Sequence, residues 1–209
     1  MNRLAFGLLA ALACGSAAQA ETAVLAGGCF WCVESDFEAV PGVSEVVSGY
    51  TGGSAANPTY KQVGSGTTGH REAVEITFDA SRISYAEILR LFLRSIDPLD
   101  AKGQFCDRGQ SYQAAIFVSG TAQQAAAAAA IAEAAQALGR KVVTPILPAA
   151  TFWPAEDYHQ DYYKGRNIVL TRAGPKQQAN AYRFYREACR RDARVRAVWG
   201  AAAAFANQH

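Results

Sequence analysis

The chain lacks any marked charge excess: 20 Lys and Arg against 18 Asp and Glu leave a formal net charge of +2. That removes the broad basic field that nucleic acid or an anionic membrane surface would require. Neither end carries a block of like charge able to act as an interaction tail. Long apolar runs are also missing, and Leu4 to Ala13 is too short for a permanent membrane span. Histidine is scarce, three in all, and His70 and His159 have no ligand spacing. With no second C-x-x-C either, the zinc frameworks find no support, and no metal or bound cofactor is expected. No internal repeat or linker divides the 209 residues. What is present is a 50% hydrophobic, 18% charged chain, too apolar for disorder and long enough for one well-filled core.

The first twenty residues stand apart. Arg3, the apolar Leu4–Ala13 and the Ala18-Gln19-Ala20 site form the pattern of a secretory signal peptide cleaved after Ala20. Lipoprotein processing at Cys14 is the rival, and Ala11-Leu12-Ala13 fits that signal poorly. The expected arrangement is a leader over 1–20, a single domain over 21–209, and a periplasmic location. Four cysteines remain: Cys29, Cys32, Cys106 and Cys189. Two structural disulfides are the ordinary reading in an exported protein, but Cys29 and Cys32 are too close in the chain to staple distant parts of a fold.

Strand and helix signals alternate, which predicts one α+β domain. Thr22–Ala26, Val43–Tyr50 and Glu72–Phe78 read as strands. Residues 51–69, rich in Gly, Ser, Thr, Asn and Pro, read as a long functional loop. Ser84 with Glu87 forms a capping box before a helix that stops near Pro98. Ala114–Val118 reads as a strand, Thr121–Leu138 as an Ala-rich helix ended by Gly139, and Val142–Leu147 as an edge or irregular strand because of Pro145. An aromatic, turn-rich tail from Phe152 leads to a helical segment from about Gln177 to Arg191.

The chemistry concentrates in Gly27-Gly28-Cys29-Phe30-Trp31-Cys32, between the first strand and the first helix. A helix start favours an anion, so Cys29 is predicted to be a thiol of lowered pKa and a nucleophile. Cys32 can form a disulfide with it and is the candidate resolving thiol. Glu72 is a candidate acid, because a carboxyl in an apolar pocket keeps its proton to higher pH; spacing alone does not place it in such a pocket. Tyr60 and Tyr112 are read as loop tyrosines, Phe30 and Trp31 as pocket aromatics, and His159 as a hydrogen-bonding core histidine.

Together these stretches resemble the peptide methionine sulfoxide reductase A family. The resemblance is carried by Gly28-Cys29-Phe30-Trp31, Gly49-Tyr50-Thr51-Gly52-Gly53, Asn57-Pro58-Thr59-Tyr60, Gly69-His70-x-Glu72-Ala73-Val74, Asp97-Pro98 and Glu156-Asp157-x-His159-Gln160, in that order. It implies a two-layer α/β sandwich with a ferredoxin-like core wrapped by long coils. It also implies reduction of the S epimer of methionine sulfoxide, free or within oxidised proteins. By similarity Cys29 is the nucleophile and Glu72 the acid. Tyr60 and Tyr112 bind the sulfoxide oxygen, Phe30 and Trp31 hold the methyl group, and Asp107 and His159 belong to the site region. Many members carry Gly at the position of Cys32 and resolve with cysteines near the carboxyl terminus, so Cys32 is the expected resolver here, with Cys189 as the alternative. An external thioredoxin-like dithiol is the expected reductant and a monomer the expected state. The competing classes are an exported disulfide oxidoreductase using the C-x-x-C pair, and a binding module for Met-rich surfaces.

Overall fold

A computed structural model describes residues 20–206. The leader and Cys14 lie outside the described residues, apart from Ala20 itself.

Strand β1 (Ala20–Ala26) leads into helix α1 (Phe30–Glu38), then β2 (Val43–Thr51), a short α2 (Tyr60–Gly64), β3 (Arg71–Asp79) and α3 (Tyr85–Ser95). Two-residue strands β4 (Gly103–Gln104) and β5 (Asp107–Arg108) form a small hairpin before β6 (Ala115–Val118) and α4 (Gly120–Leu138). Short strands β7 (Ile146–Pro148) and β8 (Trp153–Pro154) follow. The chain ends in hairpin β9 (Ile168–Thr171) and β10 (Gly174–Gln177), then α5 (Gln178–Ala188) and α6 (Arg191–Trp199). The main sheet runs β7-β6-β1-β3-β2-β8. Its centre, β6-β1-β3-β2, is antiparallel throughout, while β7 joins β6 in parallel. The chain order β1-α1-β2-β3-α3-β6 in that spatial order is the ferredoxin-like split βαβ arrangement, as the resemblance implied.

Side-chain alternation on β3 determines where the site lies. Val74, Ile76 and Phe78 are fully buried and meet Val33 and Phe37 of α1 and Ile88, Leu89 and Phe92 of α3. Ala73, on the opposite face, packs with Ala26, Ala115 and Phe117. With a period of two, Glu72 occupies the next place in the core-facing row. A carboxyl therefore stands where the pattern calls for an apolar side chain, at the end of the strand beside the start of α1.

Several predicted elements hold: α3 carries both halves of its Ser84/Glu87 capping box, and α4 ends on Gly139 in the left-handed region. Others are corrected. The stretch 51–69 is not all loop, because Thr59 and Gln62 form a reciprocal capping box and start α2, which puts Tyr60 on a helix. Tyr112 closes a 3-10 turn over Gln110–Tyr112. Of the predicted Val142–Leu147 strand only Ile146 and Leu147 pair, in a strand that runs on to Pro148 at the sheet edge. The predicted final helix stops at Ala188; Arg190, at φ 55, turns the chain into α6, which the sequence reading lacked.

Gly28 shows how tightly the first turn is built. Its φ is +81, and a Cβ there would lie 2.6 Å from Cβ of the fully buried Gln104. Gln104 in turn accepts from Asp97 N–H and donates to Asp97 O, both at 2.9 Å. Gly28→Ala is expected to destabilise the fold by about 1–3 kcal/mol, read as a lower urea midpoint.

Candidate active site

Cys29 is the N-cap residue of α1, with its own carbonyl accepting from Cys32 N–H at 3.1 Å. It is half-buried, whereas Cys32, one turn on, is buried. Both line a cavity of about 420 Å³ with Phe30, Trp31, Tyr60, Glu72, Asp107 and Tyr112. Every predicted site residue except His159 thus reaches one cavity. His159 supports it from behind: its Nδ1 accepts from the Trp31 indole N–H at 3.1 Å. Burial pushes the imidazole down to about 4, so it is neutral and its Nε2 carries the proton. Tyr162 stacks on Trp31 with ring centroids 3.7 Å apart, which fixes the indole from its other side.

Glu72 is 2% exposed, and burial pushes its carboxyl up to about 8, against the opposing pull of Phe30 N–H, which donates to Oε2 at 3.0 Å. It therefore holds a proton at neutral pH. Tyr60 and Tyr112 hydrogen-bond to one another, and burial raises both phenols above the usual range. They remain neutral donors. The coil that the sequence reading left as motif has a positional task here. Glu156 accepts from Tyr60 N–H at 2.9 Å and from the Tyr50 hydroxyl at 2.8 Å. Gln160 bridges Ser48 N–H and O, both at 2.9 Å. His70 accepts from Gly53 N–H at 3.1 Å and donates to Ala55 O at 2.7 Å, closing the polar stretch ahead of β3.

The predicted acidity of Cys29 is corrected. The amide N–H at the start of α1 goes to Glu72 rather than to sulfur. Cys29 instead donates its thiol to Cys32, and burial with Glu72 and Asp107 nearby further raises its pKa. The same hydrogen bond, assisted by Arg191 and Arg186, pulls Cys32 down to about 7 against burial. The two thiols thus share one hydrogen-bonded proton, and the arginines favour the anion on Cys32.

The far wall of the cavity comes from the carboxyl-terminal segment, through Tyr182, Arg186, Cys189 and Arg191. Of these only Cys189 was singled out in the sequence. It is joined to Cys106 in a disulfide, while Cys29 and Cys32 are free thiols. Among the described residues, two groups of side chains have the spacing to hold a metal ion: Cys106, Asp107 and Cys189, and Glu34, Glu38 and Asp161. In the first the two sulfurs are already bonded to each other. In the second, Glu34 accepts from the Ser48 hydroxyl and from Asp161 N–H, and Glu38 accepts from Tyr163 and Lys164. Among the described residues no helix is long and apolar enough to cross a membrane.

A family model described as peptide methionine sulfoxide reductase matches residues 21–192. The chain belongs to this family. It is 48% identical over 203 residues to peptide methionine sulfoxide reductase MsrA 2 of Rhizobium meliloti, with 96% of each chain covered. It is 48% identical over 186 residues to the MsrA 2 of Caulobacter vibrioides, with 88% of each covered. Among solved structures, methionine sulfoxide reductase A of Corynebacterium diphtheriae superposes with a TM-score of 0.62 at 30% identity, over 69% of this chain and 74% of that one. For a methionine sulfoxide reductase the cavity makes chemical sense: a thiol pair, a protonated carboxyl and two phenols surround a space walled by Phe30 and Trp31.

Proposed function

We propose that the protein reduces the S epimer of methionine sulfoxide, free or within oxidised proteins, to methionine. The observation that carries this reading is the protonated Glu72 carboxyl opening into the same cavity as the Cys29–Cys32 thiol pair. A sulfoxide sulfur becomes electrophilic once its oxygen is protonated or strongly hydrogen-bonded. Glu72 supplies the proton, while Tyr60 and Tyr112 hold the oxygen. The Cys29 proton passes along its hydrogen bond to Cys32, and the Cys29 thiolate attacks sulfur. The S–O bond to methionine sulfur breaks and the oxygen leaves as water; water then attacks Cys29 Sγ and breaks its bond to methionine sulfur, which leaves methionine and a sulfenic acid on Cys29. Cys32 then attacks the sulfenic sulfur, expelling water and closing a disulfide. Cys189 is bonded to Cys106, which favours Cys32 as the resolver.

Phe30 and Trp31 give the S-methyl group an apolar seat, worth about 0.8 kcal/mol per buried carbon, so bulkier sulfoxides are expected to react more slowly. The leader-like first twenty residues support export and repair of oxidised envelope proteins. An oxidising periplasm then requires a dedicated thioredoxin-like donor. The test offers separated S and R sulfoxides of N-acetylmethionine with dithiothreitol. The S epimer is expected to give N-acetylmethionine and the R epimer none, with no reduction of insulin disulfides. Equal use of both epimers would overturn the stereochemical assignment. Insulin reduction without N-acetylmethionine formation would favour a disulfide oxidoreductase.

A further inference from the structure

Beneath Cys32 lies a buried ionic cluster that sulfoxide chemistry leaves unused. Asp36 is one helical turn beyond Cys32 on α1, so the two share a face. It is fully buried and pairs with Arg186 at 3.0 Å and with Arg191 at 3.7 Å. Arg186 also binds Asp192 at 2.7 Å and donates to the Tyr182 hydroxyl at 2.9 Å. Arg191 donates to Gly27 O and Ser95 O, both at 3.1 Å, and lies 4.7 Å over the Phe105 ring. Its Nε–H is buried and without a hydrogen-bond partner among the described residues. Burying two guanidinium groups is expensive unless anions complete the cluster. Asp36 anchors both arginines on the face of α1 that carries Cys32, and both line the cavity with that sulfur.

The two thiols are also unequal in access, since Cys29 is half-buried and Cys32 is buried. We propose that the external donor attacks Cys29 in the Cys29–Cys32 disulfide, and that Arg186 and Arg191 are positioning residues that stabilise Cys32 as the departing thiolate. This rests on Cys32 being the resolver. A donor thiolate forms a bond to Cys29 Sγ, the Cys29–Cys32 bond breaks, and its electron pair stays on Cys32 Sγ. The second donor thiol then displaces Cys29, taking the donor to its disulfide and returning both enzyme thiols. Exchange is faster when the leaving thiol is more acidic. The groups facing Cys32 agree with this direction, because Arg191 and Arg186 lower its pKa while Asp36 raises it by a smaller amount.

The test uses full-length protein oxidised with one equivalent of methionine sulfoxide and mapped by peptide mass. It is then mixed with a bacterial thioredoxin whose second active-site thiol is replaced by serine. The expected product joins the donor to Cys29. A mixed disulfide at Cys32, Cys106 or Cys189 overturns the proposal. Failure to find any Cys29–Cys32 disulfide in the first stage overturns the resolver assignment and this proposal with it. In a second arm, Arg186→Gln is expected to slow dithiothreitol reduction of that disulfide in step with the loss of Cys32 acidity. The onset of thiolate absorbance moves to higher pH in parallel, and Arg186→Lys recovers part of both. A folded Arg186→Gln protein with an unchanged thiolate titration and reduction rate would overturn the arginine role. If that variant does not fold, the wild-type trapping decides.

Discussion

Glu72→Gln is expected to keep the fold and to slow sulfoxide reduction in a single turnover by about 10²–10⁴-fold, the usual worth of a general acid. The side chain sits at the end of the core-facing row of β3, so its proton is held by burial. Gln preserves size and an oxygen for Phe30 N–H but has no proton to give. The pH behaviour separates a chemical role from a structural one. Because the folded carboxyl titrates near 8, well above its unfolded value near 4.5, the folded state binds the extra proton between those limits. Stability contributed by Glu72 is therefore full below about pH 4.5 and lost as pH rises toward 8. Glu72→Gln has no such loss, so its thermal midpoint should match wild type at pH 4 and exceed it at pH 8. Wild-type single-turnover rates should fall above about pH 8, as the acid ionises. A Gln variant with the wild-type rate would remove Glu72 from proton donation.

Much of this arrangement is legible in the residue order, and the boundary has physical causes. Period-two alternation exposed β3, and the Ser84/Glu87 pair exposed the start of α3, because both signals are local. Thr59-x-x-Gln62 carries the same kind of signal for α2, hidden among Asn, Pro and Gly that read as loop. Helix α6 gave less to read. Its start follows a non-glycine residue in the left-handed region, and arginines and alanines fill most of its length.

The site divides in the same way. Cys29, Phe30, Trp31 and Cys32 share one turn and one motif, whereas Arg186 and Arg191 resemble the solvated face of an ordinary helix. Their burial depends on Asp36, about 150 residues earlier in the chain, and no local pattern encodes that pairing. The acidity of Cys29 failed as an expectation for a related reason. The helix start is present, but Cys29 gives its thiol proton to a hydrogen bond with Cys32 and is buried near Glu72 and Asp107, which the fold brings in from distant parts of the chain. The Cys106–Cys189 bond, 83 residues apart, is likewise tertiary information.

Cys29→Ser is expected to abolish methionine formation altogether, and Cys32→Ser to stop the reaction after one methionine per chain. The two thiols share a hydrogen bond, so simple loss of packing would affect both alike. Chemistry divides them. Only Cys29 is both at the N-cap and partly open to the cavity, and a serine hydroxyl is too weak an acid and too hard a nucleophile to attack sulfur. Removing Cys32 also takes away the proton acceptor for Cys29, so the first turnover should slow yet finish. Sulfenic acid should then persist on Cys29, detectable as a dimedone adduct, because the buried partner that would expel water is gone. Cys189→Ser, by contrast, should still close the Cys29–Cys32 disulfide. Adduct accumulation in Cys189→Ser with rapid clearance in Cys32→Ser would transfer the resolving role to the carboxyl-terminal helices. Residual turnover in Cys29→Ser would mean that the electron pair delivered to the sulfoxide comes from another sulfur in the cavity.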